Sequence, residues 1–241
     1  MSNSIIPPIA PPDENKDDSE LPAIGRYRQL AMKWRAAMAI LTAAATFLAI
    51  NQIFALGFFM DVTMLDGRYL YLITGLMLTM VFITFPSHRS NIDYVPWYDK
   101  VIMALIGGIF SYFAYTADLI ILDAWEYAAP PLGIALALIT WAIILEAGRR
   151  AGGWPIFFIV LVLSLYPIYA DRMPDVVAGI GMPIHDVAIF HILGEESLFG
   201  VALNSFAMLV FGFILFGVAL QHTGGGPFFI NLAFALLGHK R

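Results

Sequence analysis

The stretch Glu146-Ala-Gly-Arg149-Arg150-Ala-Gly152-Gly153 lies between two apolar runs, Pro131 to Leu145 and Trp154 to Tyr169, and it divides the chain. Glu146 and Arg150 are spaced i,i+4 with the acid first, the better order for an ion pair on a helix. Arg149 and Arg150 stand where cations favour the negative pole of a helix C-terminus. Gly152 and Gly153 then break that helix ahead of Trp154-Pro155. A helix leaving a membrane, a charged stop and a glycine hinge read as a junction between two membrane modules, with Glu146, Arg149, Arg150, Gly152 and Gly153 as its structural residues.

Composition agrees. Hydrophobic residues make up 60% of the chain and charged residues 13%, about half the charged share of an ordinary soluble domain. Apolar runs of span length follow one another too closely to leave room for a soluble core. Cysteine is absent, which removes disulfides, thiolate catalysis and Cys-based metal sites. The basic residues sit beside the spans and form no nucleic-acid stripe.

Outward from the junction, the reading is an all-α polytopic membrane protein of about six transmembrane helices plus a C-terminal interfacial half-helix. Residues 1-25 form an acidic, proline-broken tail too polar to bury anything. Residues 26-150 form a four-helix membrane domain. The segment Leu21 to Arg35, with Arg26, Arg28, Lys33 and Arg35, is expected to lie along an anionic membrane face. Span one, Ala36 to Met60, carries Ala39, Thr42, Ala43, Ala44 and Thr46 as a small-residue contact face. Asn51 and Gln52 near its end are either contacts for a solute or ion or interhelical hydrogen bonds, and amides commonly serve as helix glue. Span two runs from Tyr69 to Phe85 and stops at Pro86. Tyr94, Trp97 and Tyr98 follow as interface anchors. Span three runs from Val101 toward Leu122, with Gly107, Gly108 and Ser111 as a second contact face. Asp118 lies near its far end, within reach of water.

Residues 151-241 open a second domain. Span five, Trp154 to Tyr169, is expected to kink or end at Pro167. The connector Ala170 to Ser197 mixes acids with apolar pieces such as Val187 to Leu193, which predicts a short helix on the membrane surface. His191 and Glu195 are i,i+4, but two ligands without a third make a weak metal site. Span six, Leu198 to Leu220, holds Asn204 and Ser205 as lone polar residues suited to interhelical bonds. Phe228 to Leu237 is too short to span and is expected at the interface, with Pro227 at its first turn and Gly238 at its end.

Alternating spans place Lys16, Arg26, Arg28, Lys33, Arg35, Arg89, Lys100, Arg149, Arg150, Lys240 and Arg241 on one side and only Arg68 and Arg172 on the other. That bias makes the first side cytoplasmic and puts the N-terminus inside.

The sequence Glu146-Ala-x-Arg149-Arg150-x-x-Gly153-Trp154, with Phe157-Phe158 and Tyr169, resembles the permease of tripartite ATP-independent periplasmic (TRAP) transporters. So do Glu196-Ser-Leu-Phe199-Gly200, Phe213-Ile-Leu-Phe216-Gly217-Val-Ala-Leu220 and Gly224-x-Gly226-x-Phe228-Phe229-x-x-x-Ala233-x-x-Leu236-Leu237-Gly238. The likeness is to the type in which a small four-helix subunit is fused ahead of the large, DctM-like subunit and which works with a TAXI-type binding protein. Ser197, Ala202, Gln221 and Asn231 depart from the family pattern. The resemblance implies a bacterial inner-membrane, multi-pass symport component importing organic acids, dicarboxylates or related anions, with a periplasmic solute-binding protein as partner. It implies sodium as the coupling ion of a complete transporter and no bound cofactor. It also implies that the hairpins carrying the transport sites lie beyond Arg241, so that this chain holds the N-terminal portion. The alternative is a non-transporting membrane scaffold or assembly subunit. An intramembrane enzyme lacks support, because no helix carries a paired Asp, a Ser/His dyad or a His-Glu-x-x-His arrangement.

Overall fold

The computed structural model describes residues 27–56, 66–88 and 91–237. The proline-broken tail, the last part of the expected first span and the final cations lie outside these. The described chain forms α1 (Met32–Ile53), α2 (Asp66–Thr84), α3 (Trp97–Tyr115), the short α4 (Ala117–Leu122) and α5 (Trp125–Ala128), and the long α6 (Pro131–Tyr169). A 3-10 turn (Ala170–Arg172) leads on to α7 (Ile184–Leu193). Next come α8 (Val201–Ser205), a π-helical turn (Phe206–Val210), α9 (Phe211–His222) and α10 (Gly225–Leu237). Every described element is helical, and four helical stretches are long and apolar enough to cross a membrane: Met32–Ile53, Asp66–Thr84, Pro131–Arg172 and Val201–His222. The class is all-α membrane protein, as the hydropathy predicts.

The two apolar runs that the sequence separates at Gly152-Gly153 are the two helical arms of α6, parted there by one break. Gly152 stays helical, and only Gly153 leaves the helix, at φ 83° and ψ −179°. That positive φ favours glycine. The break folds the helix back on itself. The ring of Trp141 lies 5.6 Å from that of His191, while His191 Nε2 lies 2.7 Å from the carbonyl of Ser164. In a straight helix Trp141 and Ser164 would stand about 34 Å apart. Both meet one side chain of α7, so the arms before and after Gly153 run in opposing directions.

α2 is the centre of the bundle. Tyr69, Phe82 and Ile83 are fully buried, together with Ile106 and Phe113 of α3 and Val187 and Ile192 of α7. Gly75 permits a close approach of α2 and α3, since a Cβ there would meet the Cβ of Phe110 at 2.8 Å. The expected contact faces are corrected accordingly. On α1 the buried residues are Ala45, Leu48, Ala49 and Asn51, whereas Ala39, Thr42, Ala43 and Ala44 are exposed. On α3 the packing face is Ile106, Ile109, Phe110 and Phe113, and a Cβ at Gly107 or Gly108 would touch nothing within 4 Å. On α3 the large apolar side chains take the core because they bury more area, whereas on α1 the packing face is still partly small, at Ala45 and Ala49.

α7 is also a correction. Expected on the membrane surface, it is instead wedged inside, with Val187, Ala188, Ile189, Ile192 and Leu193 all buried. Ile-His-Asp-Val-Ala-Ile-Phe-His-Ile-Leu has too little polar surface to make an interfacial helix, and a helix apolar around most of its girth is buried. α10 begins at Gly225, two residues before Pro227, and its residues from Gly226 to Leu236 are exposed.

Candidate functional site

The junction residues lie in a charge network that the sequence only half discloses. Glu146 Oε1 accepts from Arg150 Nε at 2.8 Å and from Arg149 Nη2 at 2.6 Å, and Glu146 Oε2 accepts from Arg149 Nε at 2.7 Å. Arg149 therefore grips the carboxylate with two bonds, the planar fork geometry that only arginine supplies. Its guanidinium also lies 5.2 Å from the Trp154 ring across the break. Arg150 turns inward, 4.5 Å over the ring of Phe82, and donates from Nη1 to Asp99 Oδ1 at 2.8 Å.

Asp99 is the centre of this network. It is completely buried in the first turn of α3, and its second oxygen accepts from Arg28 Nη2 at 2.7 Å. Arg28 then donates from Nη1 to the carbonyls of Phe82 and Ile83, at 3.0 and 3.1 Å, and from Nε to that of Asn91 at 3.2 Å. Those α2 carbonyls are in its last turn, left open because no further turn follows, and a cation there meets the negative pole. One arginine ahead of α1 thus joins the end of α2 to the start of α3. The segment from Tyr27 to Leu30 is not the amphipathic strip expected on the membrane face. It is an extended strap bonded through Arg28 N to Thr84 O and Gln29 N to Ile92 O. Nor is Glu146–Arg150 an exposed pair, since the Arg150 side chain is 2% exposed.

Sequence reasoning missed Arg28 and Asp99 as partners. Arg28 is there one of a basic stretch and Asp99 is not singled out, and the two stand 71 residues apart. The available signal was an acid next to an apolar span, which needs a partner wherever it is buried.

At the other end of the bundle the polar span residues gather around a cleft of 690 Å³, lined by Asp66, Tyr71, Ala117, Glu195, Phe199 and Asn204 among others. Gln52 donates to Asp66 at 3.0 Å. Asp118, next to Ala117, accepts from Arg68 Nη2 at 2.7 Å, and Arg68 Nε donates to Ala114 O at the end of α3. Asn51 is buried at the end of α1, its carbonyl accepting from Leu56 N. Of the four polar candidates, Asn204 lines the cleft, Gln52 and Asp118 border it and Asn51 turns into the bundle. Ser205 faces outward. The turn at the cleft rim is tight: a Cβ on Gly200 would lie 1.9 Å from the carbonyl of Glu195. His191 does not face Glu195. Its nitrogens face Ser197 Oγ at 3.0 Å and the Ser164 carbonyl.

The early spans hold the later ones through two α2 tyrosines. The Tyr69 hydroxyl donates to Ala207 O, inside the π-helical turn, at 2.9 Å. The Tyr71 hydroxyl approaches Ile192 O at 3.5 Å, and its ring packs 4.7 Å from that of Phe199. A π turn leaves its carbonyls displaced from the regular ladder, and a buried hydroxyl supplies the partner.

Residues 139–241 match the family described as the tripartite ATP-independent periplasmic transporter, DctM component. No curated protein and no solved structure matches the chain. The match begins two residues before Trp141 and takes in the junction, both sides of the Gly153 break, α7 and the π-containing span, so it is this stretch of the chain that is similar to the DctM component.

Proposed function

We propose, from the premise that the chain is a TRAP transporter permease component, that it forms part of a permease which imports organic acids by ion-gradient coupling together with a periplasmic binding protein of the TAXI type. In this reading residues 26-150 are the small-subunit-like domain, fused ahead of the DctM-like segment from 151 onward, and the N-terminus lies in the cytoplasm of a bacterial inner membrane. The observation that carries the reading is the DctM match over residues 139–241. Two structural features support the fusion. Asp99 clamps the strap of Arg28 to Arg150 in the matched segment, and Tyr69 and Tyr71 bond to the carbonyls of Ala207 and Ile192. A permease that must keep two membrane modules in register needs such contacts to be buried and directional.

In this reading Glu146, Arg149 and Arg150 hold the junction, Gly153 sets its turn beside Gly152, and Gln52, Asp118 and Asn204 shape the opposite cleft, where the binding protein is expected to dock, while Asn51 makes its polar contacts within the bundle. The test is uptake of labelled organic acids by cells expressing the gene with its binding protein. Uptake is expected to require both proteins and a sodium gradient. A chain that captures the binding protein yet supports no uptake points to the scaffold alternative. Orientation is read separately in this cysteine-free chain: Ser90→Cys and Gly181→Cys are expected to label from the inner and outer side, and labelling from one side overturns the topology.

A further inference from the structure

At the end of the bundle that carries Asp99, a cavity of 350 Å³ opens between the strap and the first turns of α1 and α3, lined by Lys33, Trp34, Asp93, Tyr94 and Lys100 besides Arg28. Arg28 is consumed by Asp99 and the α2 carbonyls, but Lys33 and Lys100 make no ion pair among the described residues. Both lysines stand in the first turn or just after it, where the helix pole is positive and an acid is the stable choice. The one acid of the α3 first turn, Asp99, is spent on two arginines, and α1 has none. Asp93 alone opposes this excess of positive charge from within the lining.

A second cavity, of 550 Å³ and almost wholly apolar, starts at the residue after Lys100. It runs along α3 past Val101, Ala104, Leu105, Gly108 and Tyr112, and Leu136 of α6 closes its side. Lys100, Ala104 and Gly108 repeat at i, i+4 and i+8, so the lysine stands over the groove on the same helix face. From Val101 to Tyr112 the helix rises about 16 Å, roughly half of a ~30 Å hydrocarbon core and so the depth of one leaflet. The missing side chain at Gly108 makes the groove, and no protein atom fills it.

We infer that these two cavities form one binding site for an anionic phospholipid, its phosphate between Lys33 and Lys100 and one acyl chain along the α3 groove. A lipid is favoured over free phosphate because the charged cavity ends at Lys100 and the leaflet-deep apolar groove begins at the next residue, Val101. Trp97, 74% exposed, and Tyr94, 57% exposed, mark the headgroup level beside it. The end of the bundle also fits. Arg28, Lys33, Arg35, Lys100, Arg149 and Arg150 share it, while Arg68 and Arg172 sit at the other, the asymmetry expected of the side facing an anionic leaflet.

The test is native mass spectrometry of the full chain released from mixed micelles with equal phosphatidylglycerol and phosphatidylcholine. One retained lipid is expected, with phosphatidylglycerol preferred roughly fivefold or more, the effect of one basic residue near an anionic surface. Lys33→Gln/Lys100→Gln should bring the ratio close to one, and Lys33→Arg/Lys100→Arg should restore it. Gly108→Leu should abolish retention of either lipid while circular dichroism stays unchanged. A phosphatidylglycerol preference that survives the double Gln variant overturns the headgroup assignment. Retention of inorganic phosphate in place of lipid, or a dimer that Gly108→Leu dissociates, overturns the lipid as occupant.

Discussion

Two arginine–aspartate nodes stand at opposite ends of the bundle and are built alike. Arg28 bonds Asp99 and the last-turn carbonyls of α2, and Arg68 bonds Asp118 and the last-turn carbonyl of Ala114 in α3. Both ion pairs measure 2.7 Å. The difference is water: the Arg28 and Asp99 side chains are 0% exposed, those of Arg68 and Asp118 32% and 47%. In the wet node solvent replaces whatever bond is lost, whereas in the dry node nothing does. Identical geometry therefore carries very different consequences, and only the dry node can lock two modules in register.

Breaking the dry node tests this most severely. Asp99→Ala leaves Arg28 and Arg150 buried without their shared acid, and loss of about 3–5 kcal/mol is expected for an uncompensated buried charge. The readout is the unfolding midpoint of the purified chain in mild detergent. The triple replacement Arg28→Met/Asp99→Leu/Arg150→Met sharpens the point, because it removes every charge of the core together and should be less destabilised than Asp99→Ala alone. A triple variant weaker than the single one would show that charge pairing, beyond charge satisfaction, holds the node.

Gly153→Ala comes next. An alanine at φ 83° and ψ −179° costs about 1–3 kcal/mol, so the fold-back of α6 should open measurably, seen as a longer distance between spin labels on its two arms. Tyr69→Phe deletes one buried hydroxyl bond to the π-helical turn, with an expected loss of about 1 kcal/mol in the same unfolding assay. Asp118→Asn, in the wet node, should shift stability by no more than about 1 kcal/mol, and less at high salt. A loss as large as that of Asp99→Ala would erase the distinction between the two nodes.

How far the sequence reached follows the same division. The i,i+4 spacing of Glu146 and Arg150 was legible because one helix brings them together whatever the rest of the chain does. The break was legible from Gly152-Gly153, though not which of the two would bear it, since a glycine is permitted a positive φ without being required to adopt one. Asp99 and Arg28 were not legible as a pair. Each has an ordinary local reading, and their meeting depends on where α2 ends and α3 begins in space. The small-residue faces misled for a related reason: small side chains allow close approach, and whether a helix or a lipid makes that approach is decided by the neighbours.

By itself, then, the order of residues determined the membrane class, the approximate spans, the charged junction and the likeness to TRAP permeases. All of these rest on hydropathy, periodicity or motifs read within a few turns of chain. Tertiary structure alone decided that Arg28 is buried, that α7 lies inside the bundle and that Tyr69 reaches Ala207. These are pairings across tens of residues, and their energy comes from excluding water around groups that no local pattern brings together.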